Sequence, residues 1–184
     1  MNYHLSTDRQ ISSVILVYAT TSNRTQRVAA HVASQFCVNL EVDVFNVKDI
    51  RPDSLRKYDL IIAGSPTYGR GRLHSSWRSV VPSVSSLDLS NTNVALFALG
   101  DQRYHGQTFG RALKHLYNVF AVTGASLVGR TLLEGNQFMH CPDFAEDGIL
   151  PGLLLDEISQ RRLSHQRIEK WMESILGECS IQLA

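Results

Sequence analysis

Val14-Ile15-Leu16-Val17-Tyr18, running straight into Ala19-Thr20-Thr21-Ser22-Asn23-Arg24-Thr25, decides how the chain is read. Five consecutive apolar residues suit a strand buried on both faces, because a half-exposed strand would alternate apolar and polar positions. The residues that follow are small or polar. Behind them Val28, Ala29, Val32, Ala33 and Phe36 recur at helical spacing. The stretch is strand, hydroxyl-rich loop and helix, the first half of a βαβ unit.

The same alternation continues outward. Leu40, Val42 and Val44 alternate as a second strand, and Leu60-Ile61-Ile62-Ala63 is a third, buried run closed by Gly64-Ser65-Pro66. A helical pattern spans Leu73 to Val81. Val94 to Leu99 is a fourth run, followed by Phe109, Ala112, Leu113, Leu116 and Phe120 at helical spacing. Ser126-Leu127-Val128 is a short strand. Ile168, Trp171, Met172, Ile175 and Leu176 form the apolar face of a last helix, for which Ser164 is the expected N-cap. Strands alternating with helices imply a parallel sheet covered on both sides. The chain is too short for an eightfold barrel of ~250 residues, so the expected class is α/β, an open doubly wound sheet. Ligands of such sheets sit at the carboxyl ends of the strands, which directs attention to the loops after the first, third and fourth.

Composition bounds the rest. The 184 residues suit one domain, and 43% apolar with 19% charged residues excludes disorder and low-complexity sequence. Cys37, Cys141 and Cys179 are odd in number and lack a C-x-x-C spacing, which argues against a disulfide framework or a cysteine zinc site. The polar start lacks the apolar core of a signal peptide, and no apolar run approaches bilayer length, so a reduced, cytoplasmic protein is expected. The seven dispersed histidines suggest no metal site. A net charge of +1 argues against a nucleic-acid binder driven by bulk charge. Only Lys48, Lys57, Lys114 and Lys170 are lysines, so arginine makes up most of the 18 basic residues.

The three loops carry complementary chemistry. Thr20 to Thr25 set threonine and serine hydroxyls, an amide and a run of backbone N–H groups at a helix start, which suits an anion, although such a loop can also serve only to cap the helix. Neither a Walker loop nor a dinucleotide fingerprint is present. Pro66-Thr67-Tyr68-Gly69-Arg70-Gly71-Arg72 holds Tyr68 in a turn, where it either stacks on a planar ligand or packs on the next helix with Trp77. Leu99-Gly100-Asp101-Gln102-Arg103-Tyr104-His105-Gly106 again combines glycine, an acid and aromatic rings. Side by side, the loops meet the needs of a mononucleotide with a flat ring.

On these residues the chain resembles the flavodoxins, specifically the long-chain class. The family's phosphate loop [ST]-x-T-G-x-T is similar to Thr20, Ser22 and Thr25, with Asn23 replacing glycine. Its second loop is similar to Pro66-Thr67-Tyr68 and Gly71, with Trp77 at the family's helix tryptophan. Its third loop matches Gly100-Asp101-Gln102, followed by Phe109 and Ala112-Leu113. Gly152-Leu153, Leu155-Asp156-Glu157, Gln160 and Arg167-Ile168-x-x-Trp171 resemble the long-chain ending. The resemblance implies a five-stranded parallel sheet ordered 2-1-3-4-5, an order for which flavodoxin is itself a standing example. An insertion at about 130–151 would split the last strand into Ser126–Val128 and Leu153–Leu155. Residues 1–12 would be an N-terminal extension and 13–184 the FMN-binding domain.

The resemblance further implies a monomeric carrier that holds FMN non-covalently and shuttles single electrons, with an NAD(P)H-dependent reductase as donor, an unnamed acceptor, and no nucleic-acid or membrane partner. The implied cofactor residues are Thr20, Thr21, Ser22, Asn23, Arg24, Thr25, Pro66, Thr67, Tyr68, Gly69, Arg70, Gly71, Leu99, Gly100, Asp101, Tyr104, His105 and Gly106. Asn23 is expected to tolerate the left-handed turn of the glycine it replaces. His105 and Tyr104 are both candidates for the flavin face opposite Tyr68. Arg24, Arg70, Arg72 and Arg103 give the cofactor loops a sign opposite to that of the acidic family. An FMN-dependent NAD(P)H or quinone reductase on the same fold is the alternative, and a non-redox module without FMN is a third reading.

Overall fold

The computed structural model describes residues 11–20, 22–36, 40–133, 138–139 and 142–179. Thr21, Cys37, Cys141, His140 and the first ten residues of the expected N-terminal extension lie outside them. The apolar run opens the fold as β1 (Val14–Tyr18), followed by α1 (Asn23–Ala33), β2 (Val42–Asn46), β3 (Leu60–Tyr68), β4 (Arg72–Leu73) and α2 (Ser75–Ser85). Then come β5 (Asn93–Gly100), the single turn α3 (Gln102–His105), α4 (Arg111–Ala121), β6 (Ser126–Val128), β7 (Thr131–Leu132), β8 (Ile149–Leu150), β9 (Leu153–Asp156) and α5 (Arg161–Glu178).

The main sheet runs β2-β1-β3-β5, and its last position is shared. β6 pairs in parallel with Asn93–Ala95 of β5, and β9 pairs in parallel with Phe97–Gly100 of the same strand. With β6 and β9 counted as one interrupted strand, this is the expected order 2-1-3-4-5. The insertion between them carries the antiparallel pair β7–β8.

Because side chains alternate along a strand, each buried strand feeds both faces. Ile15, Val17, Ile61, Ala63, Val94, Leu96 and Ala98 pack with Trp77, Leu113, Leu116 and Phe120 beneath α2 and α4. Val14, Leu16, Leu60, Ile62, Ala95, Phe97 and Leu99 pack with Val28, Val32, Ile168, Trp171, Met172 and Ile175 beneath α1 and α5. Phe97 lies so close to Gly64 across the sheet that a Cβ there would stand 2.0 Å from the ring. Glycine at 64 is what lets the largest side chain of β5 fill that layer.

Several local expectations are corrected. β3 does not close at Gly64-Ser65-Pro66: it stays paired with β5 as far as Pro66↔Leu99, then turns back to β4. Leu73 belongs to β4, and the helix begins at Ser75 with His74 as its cap. Ser164 is buried inside α5 and does not cap it; Gln160 occupies the cap position without a side-chain capping bond, its Oε1 accepting from the Arg167 guanidinium at 2.8 Å instead. Val44 is 40% exposed because β2 is an edge strand, while Leu40 and Val42 of the same alternation pack partly buried against the core. At the other end, Ile11 is buried, and the Asp59 carboxylate accepts from the N–H and hydroxyl groups of Ser12 and Ser13.

Candidate functional site

The carboxyl ends of β1, β3, β5 and β9 open onto one cleft of about 300 Å³, within the range that takes a small organic ligand. Ser22, Arg24 and Thr25 line it from the first loop, and Pro66, Thr67, Tyr68, Gly69, Arg70 and Gly71 from the second. Leu99, Gly100, Asp101 and His105 line it from the third. Thr108, Phe109, Glu157 and Ile158 complete the wall. Sequence reasoning missed these four. The strand-end rule that pointed to the other loops, applied also to the end of the last strand, would have found Glu157 and Ile158.

The first loop is shaped by its own polar groups. Thr20 Oγ1 accepts from the Ser22 N–H at 3.1 Å and donates to the Ser22 carbonyl, so this hydroxyl is engaged in the turn rather than in the cleft lining. α1 starts with an extended Ser22 that makes no side-chain capping bond, and its first turn contains no acid. Its leading N–H groups therefore keep the positive end of the helix dipole uncompensated. Asn23 is simply the first residue of α1, not a left-handed residue; among the described non-glycine residues positive φ occurs at Arg70 and Asp147. The expected tolerance of Asn23 for a left-handed turn is not called upon.

The second loop is a hairpin. Tyr68 pairs with Arg72, and Gly69, Arg70 and Gly71 between them have φ of 22°, 49° and 82°. Such a run favours glycine, and Arg70 sits in it as a residue type that seldom adopts this conformation. Gly71 also leaves room for Arg111, whose Cδ would stand 2.8 Å from an added Cβ. Tyr68 is 49% exposed and meets the His74 ring edge-on at 6.0 Å between centroids. His74 Nδ1 accepts from the Ser76 N–H at 3.2 Å, capping α2. Burial first, and Arg78 second, hold the His74 pKa below its ordinary 6.5. Trp77 does not support Tyr68: it is fully buried and donates from Nε1 to the Gly64 carbonyl at 2.9 Å.

In the third loop Asp101 caps α3, its Oδ1 accepting from the N–H groups of Arg103 and Tyr104 at 3.1 Å each. That short turn directs His105 to the cleft and Tyr104 away from it; Tyr104 is 70% exposed, with the Arg103 guanidinium 5.8 Å from its ring. Thr20, Asn23, Tyr104 and Gly106 are thus outside the cleft lining, although Asn23 borders an adjoining notch. Thr21 lies outside the described residues. The third and last loops are tied together by Asp156. Its buried carboxylate accepts from the N–H groups of Ile158 and Ser159 at 2.9 and 2.8 Å, from the Gln102 N–H at 3.3 Å, and from the Ser159 hydroxyl.

Two buried oxygens at the cleft have no hydrogen-bond partner among the described residues, Thr67 Oγ1 and Glu157 Oε1. Buried polar atoms are normally satisfied, so their presence beside an open cleft fits a ligand with donors and acceptors of its own. An uncapped helix start, a half-exposed tyrosine and an imidazole from the third loop complete a set suited to a phosphorylated ligand with a flat ring. Cys179 takes no part: it is remote in sequence from the loops, buried, and its thiol is pushed up to about 11 by burial and then by Glu178.

Comparison with known proteins converges on one family. The flavodoxin family profile matches residues 16–171. Flavodoxin 2 of Salmonella typhi is 35% identical over 164 residues, covering 89% of this chain and 94% of its own. Flavodoxin 2 of Escherichia coli K12 is 34% identical over the same shares. A flavodoxin of Fusobacterium nucleatum, solved bound to flavin mononucleotide, superposes with a TM-score of 0.82 at 26% identity, covering 90% of this chain and 98% of its own.

Proposed function

The chain belongs to the flavodoxin family, and from that premise we propose how its own residues serve an FMN-binding electron carrier. The protein binds FMN and carries electrons, and each wall of the cleft has a share in that task. The α1 N–H groups with Ser22 and Thr25 hold the phosphate, and Thr20 fixes the loop that presents them. Tyr68 covers one face of the isoalloxazine ring and His105 the other, while Arg24 and Arg70 stand at the cleft as compensating charges. Thr67 and Glu157 use their unpartnered oxygens for the ligand's hydroxyls. Asp101 keeps the third loop in shape by capping α3 and is therefore a positioning residue. When bound, FMN supplies the one-electron chemistry, and the protein supplies orientation and electrostatics.

The single observation that carries this assignment is the Thr67 hydroxyl, buried without a partner among the described residues where three strand-end loops converge. Burying a hydroxyl unpaired costs about 1–3 kcal/mol, and a ligand in this cleft removes that cost. The test is a titration of the apoprotein with FMN and with riboflavin, followed by flavin fluorescence. FMN should bind more tightly than riboflavin, and Tyr68→Ala should bind FMN less well and leave it brighter. Equal affinity for the two flavins would remove the phosphate from the α1 loop.

Donor and acceptor are further parts of the proposal. An NAD(P)H-dependent reductase protein is the proposed donor, and the cytoplasm the proposed compartment. No helix among the described residues is long and apolar enough to cross a membrane. NADPH should not be consumed by the purified holoprotein until a reductase is added.

A further inference from the structure

We propose that the redox partner docks through an acidic face onto a basic collar around the flavin cleft, anchored in a notch between the first turns of α1 and α5. The proposal rests on the flavin-site assignment and extends it to the partner. The notch adjoins the cleft, sharing Ser22, Arg24, Glu157 and Ile158 with it, and adds Arg27 and Arg161. Neither α1 nor α5 has an acid in its first turn or a side-chain capping bond, so two helix starts add their positive dipole ends to three arginines. Arg70 and Arg72 on the β3–β4 hairpin and Arg103 on α3 continue the collar past Tyr68. All six arginines are exposed.

What marks the collar is that, among the described residues, none of its six arginines is held in an ion pair with a carboxylate, whereas Arg56, Arg111 and Lys114 elsewhere are. The two acids at the cleft, Asp101, which caps α3, and Glu157, which is 8% exposed, are outnumbered by the six arginines. Arg24 and Arg70 line the cofactor cleft, where a bound phosphate offsets them. Arg27, Arg72, Arg103 and Arg161 do not line it, so they stay available once the cofactor is in place. Electron transfer needs the partner at the open edge of that cleft, inside this field. A partner with carboxylates at its docking face is drawn in and oriented, and a basic one is turned away, an effect on association rate that salt screens.

The experiment uses the full-length protein loaded with FMN and reduced with dithionite, mixed in a stopped-flow instrument with two probes over a range of ionic strength. One probe is cytochrome b5, with an acidic haem face, and the other mitochondrial cytochrome c, with a basic one. The rate with cytochrome b5 should fall by about tenfold or more from low to high salt, while that with cytochrome c should stay flat or rise. The Arg27→Glu, Arg161→Glu double variant should lose most of the salt dependence with cytochrome b5 and keep the parent's flavin fluorescence. Arg27→Gln, Arg161→Gln should fall between. A rate with cytochrome c that is highest at low salt, or a glutamate variant indistinguishable from the parent, would overturn the proposal. Failure of the parent to take up FMN would instead refute the flavin-site assignment.

Discussion

Asp156→Ala should destabilise the protein by about 3–5 kcal/mol and Asp156→Asn by about 1–3 kcal/mol. The magnitudes follow from the donors that Asp156 satisfies. Its side chain is 0% exposed and accepts from three backbone N–H groups, of Gln102, Ile158 and Ser159, and from the Ser159 hydroxyl. Alanine strands those donors, each at about 1–3 kcal/mol, and because they share one acceptor the losses do not simply add. Asparagine retains one acceptor oxygen but turns an NH₂ group toward donors. Urea unfolding of the apoprotein measures both, and an FMN titration should show weaker binding, since Ile158 lines the cleft. Burial alone would raise the Asp156 pKa, but the Ser159 hydroxyl and N–H and the Ile158 N–H outweigh it and hold the group below its ordinary 3.8. A depressed folded-state pKa gives stability that is present above 3.8 and lost as pH falls through the folded value. The asparagine variant should therefore lose part of the parent's acid sensitivity. Both variants within about 0.5 kcal/mol of the parent, with an unchanged acid limb, would refute the structural role of this carboxylate.

Three more outcomes test the site. Thr25→Ala should weaken FMN by about 1.5–3 kcal/mol, the scale of a hydrogen bond to a charged group, and leave riboflavin unchanged, whereas Thr20→Ala should cost less because its hydroxyl is tied to Ser22; fluorescence titration reads both. His105→Ala should brighten bound flavin and Tyr104→Ala should not. Arg72→Glu with Arg103→Glu should lower the more negative of the two flavin potentials by tens of millivolts at low salt, because the second electron makes the ring anionic; a redox titration showing no change would make these arginines mere solvated surface.

The order of layers was legible because burial on both faces leaves a plain trace: Val14–Tyr18, Leu60–Ala63 and Val94–Leu99 are continuous apolar runs, and each became a central strand. Element ends were less legible. Gly64, Ser65 and Pro66 look like a stop, yet β3 continues through them, since Gly64 is there to admit Phe97 and not to break the chain. Pro66 has no N–H to give the ladder, but its carbonyl and its β5 register with Leu99 remain. Ser164 looked like a cap from type alone. The helix starts three residues earlier, at Arg161, with no capping signal to read.

The site was legible in its loops but not in what fixes them. Thr25, Tyr68 and His105 could be picked out because they follow apolar runs at the right edge. Glu157 and Ile158 follow the last strand and were open to the same rule, whereas Thr108 and Phe109 follow no apolar run and reach the cleft through contacts distant in sequence. Phe109 presses on Gly100, where an added Cβ would stand 2.5 Å from its ring, and is met on its other side by Phe138 of the insertion, edge-on at 4.9 Å. The same Phe138 ring lies 4.9 Å from the Arg167 guanidinium of α5. Beside it, the Met139 N–H donates to Gln102 Oε1 at 2.6 Å, and the Gln102 N–H donates to Asp156. The insertion is therefore braced against the corner where α3, β9 and α5 meet, and that corner positions His105 on one wall of the cleft and Ile158 on another. An insertion that splits a strand in the sequence thus acts in space as a support for two walls of the cleft, which no spacing along the chain could announce.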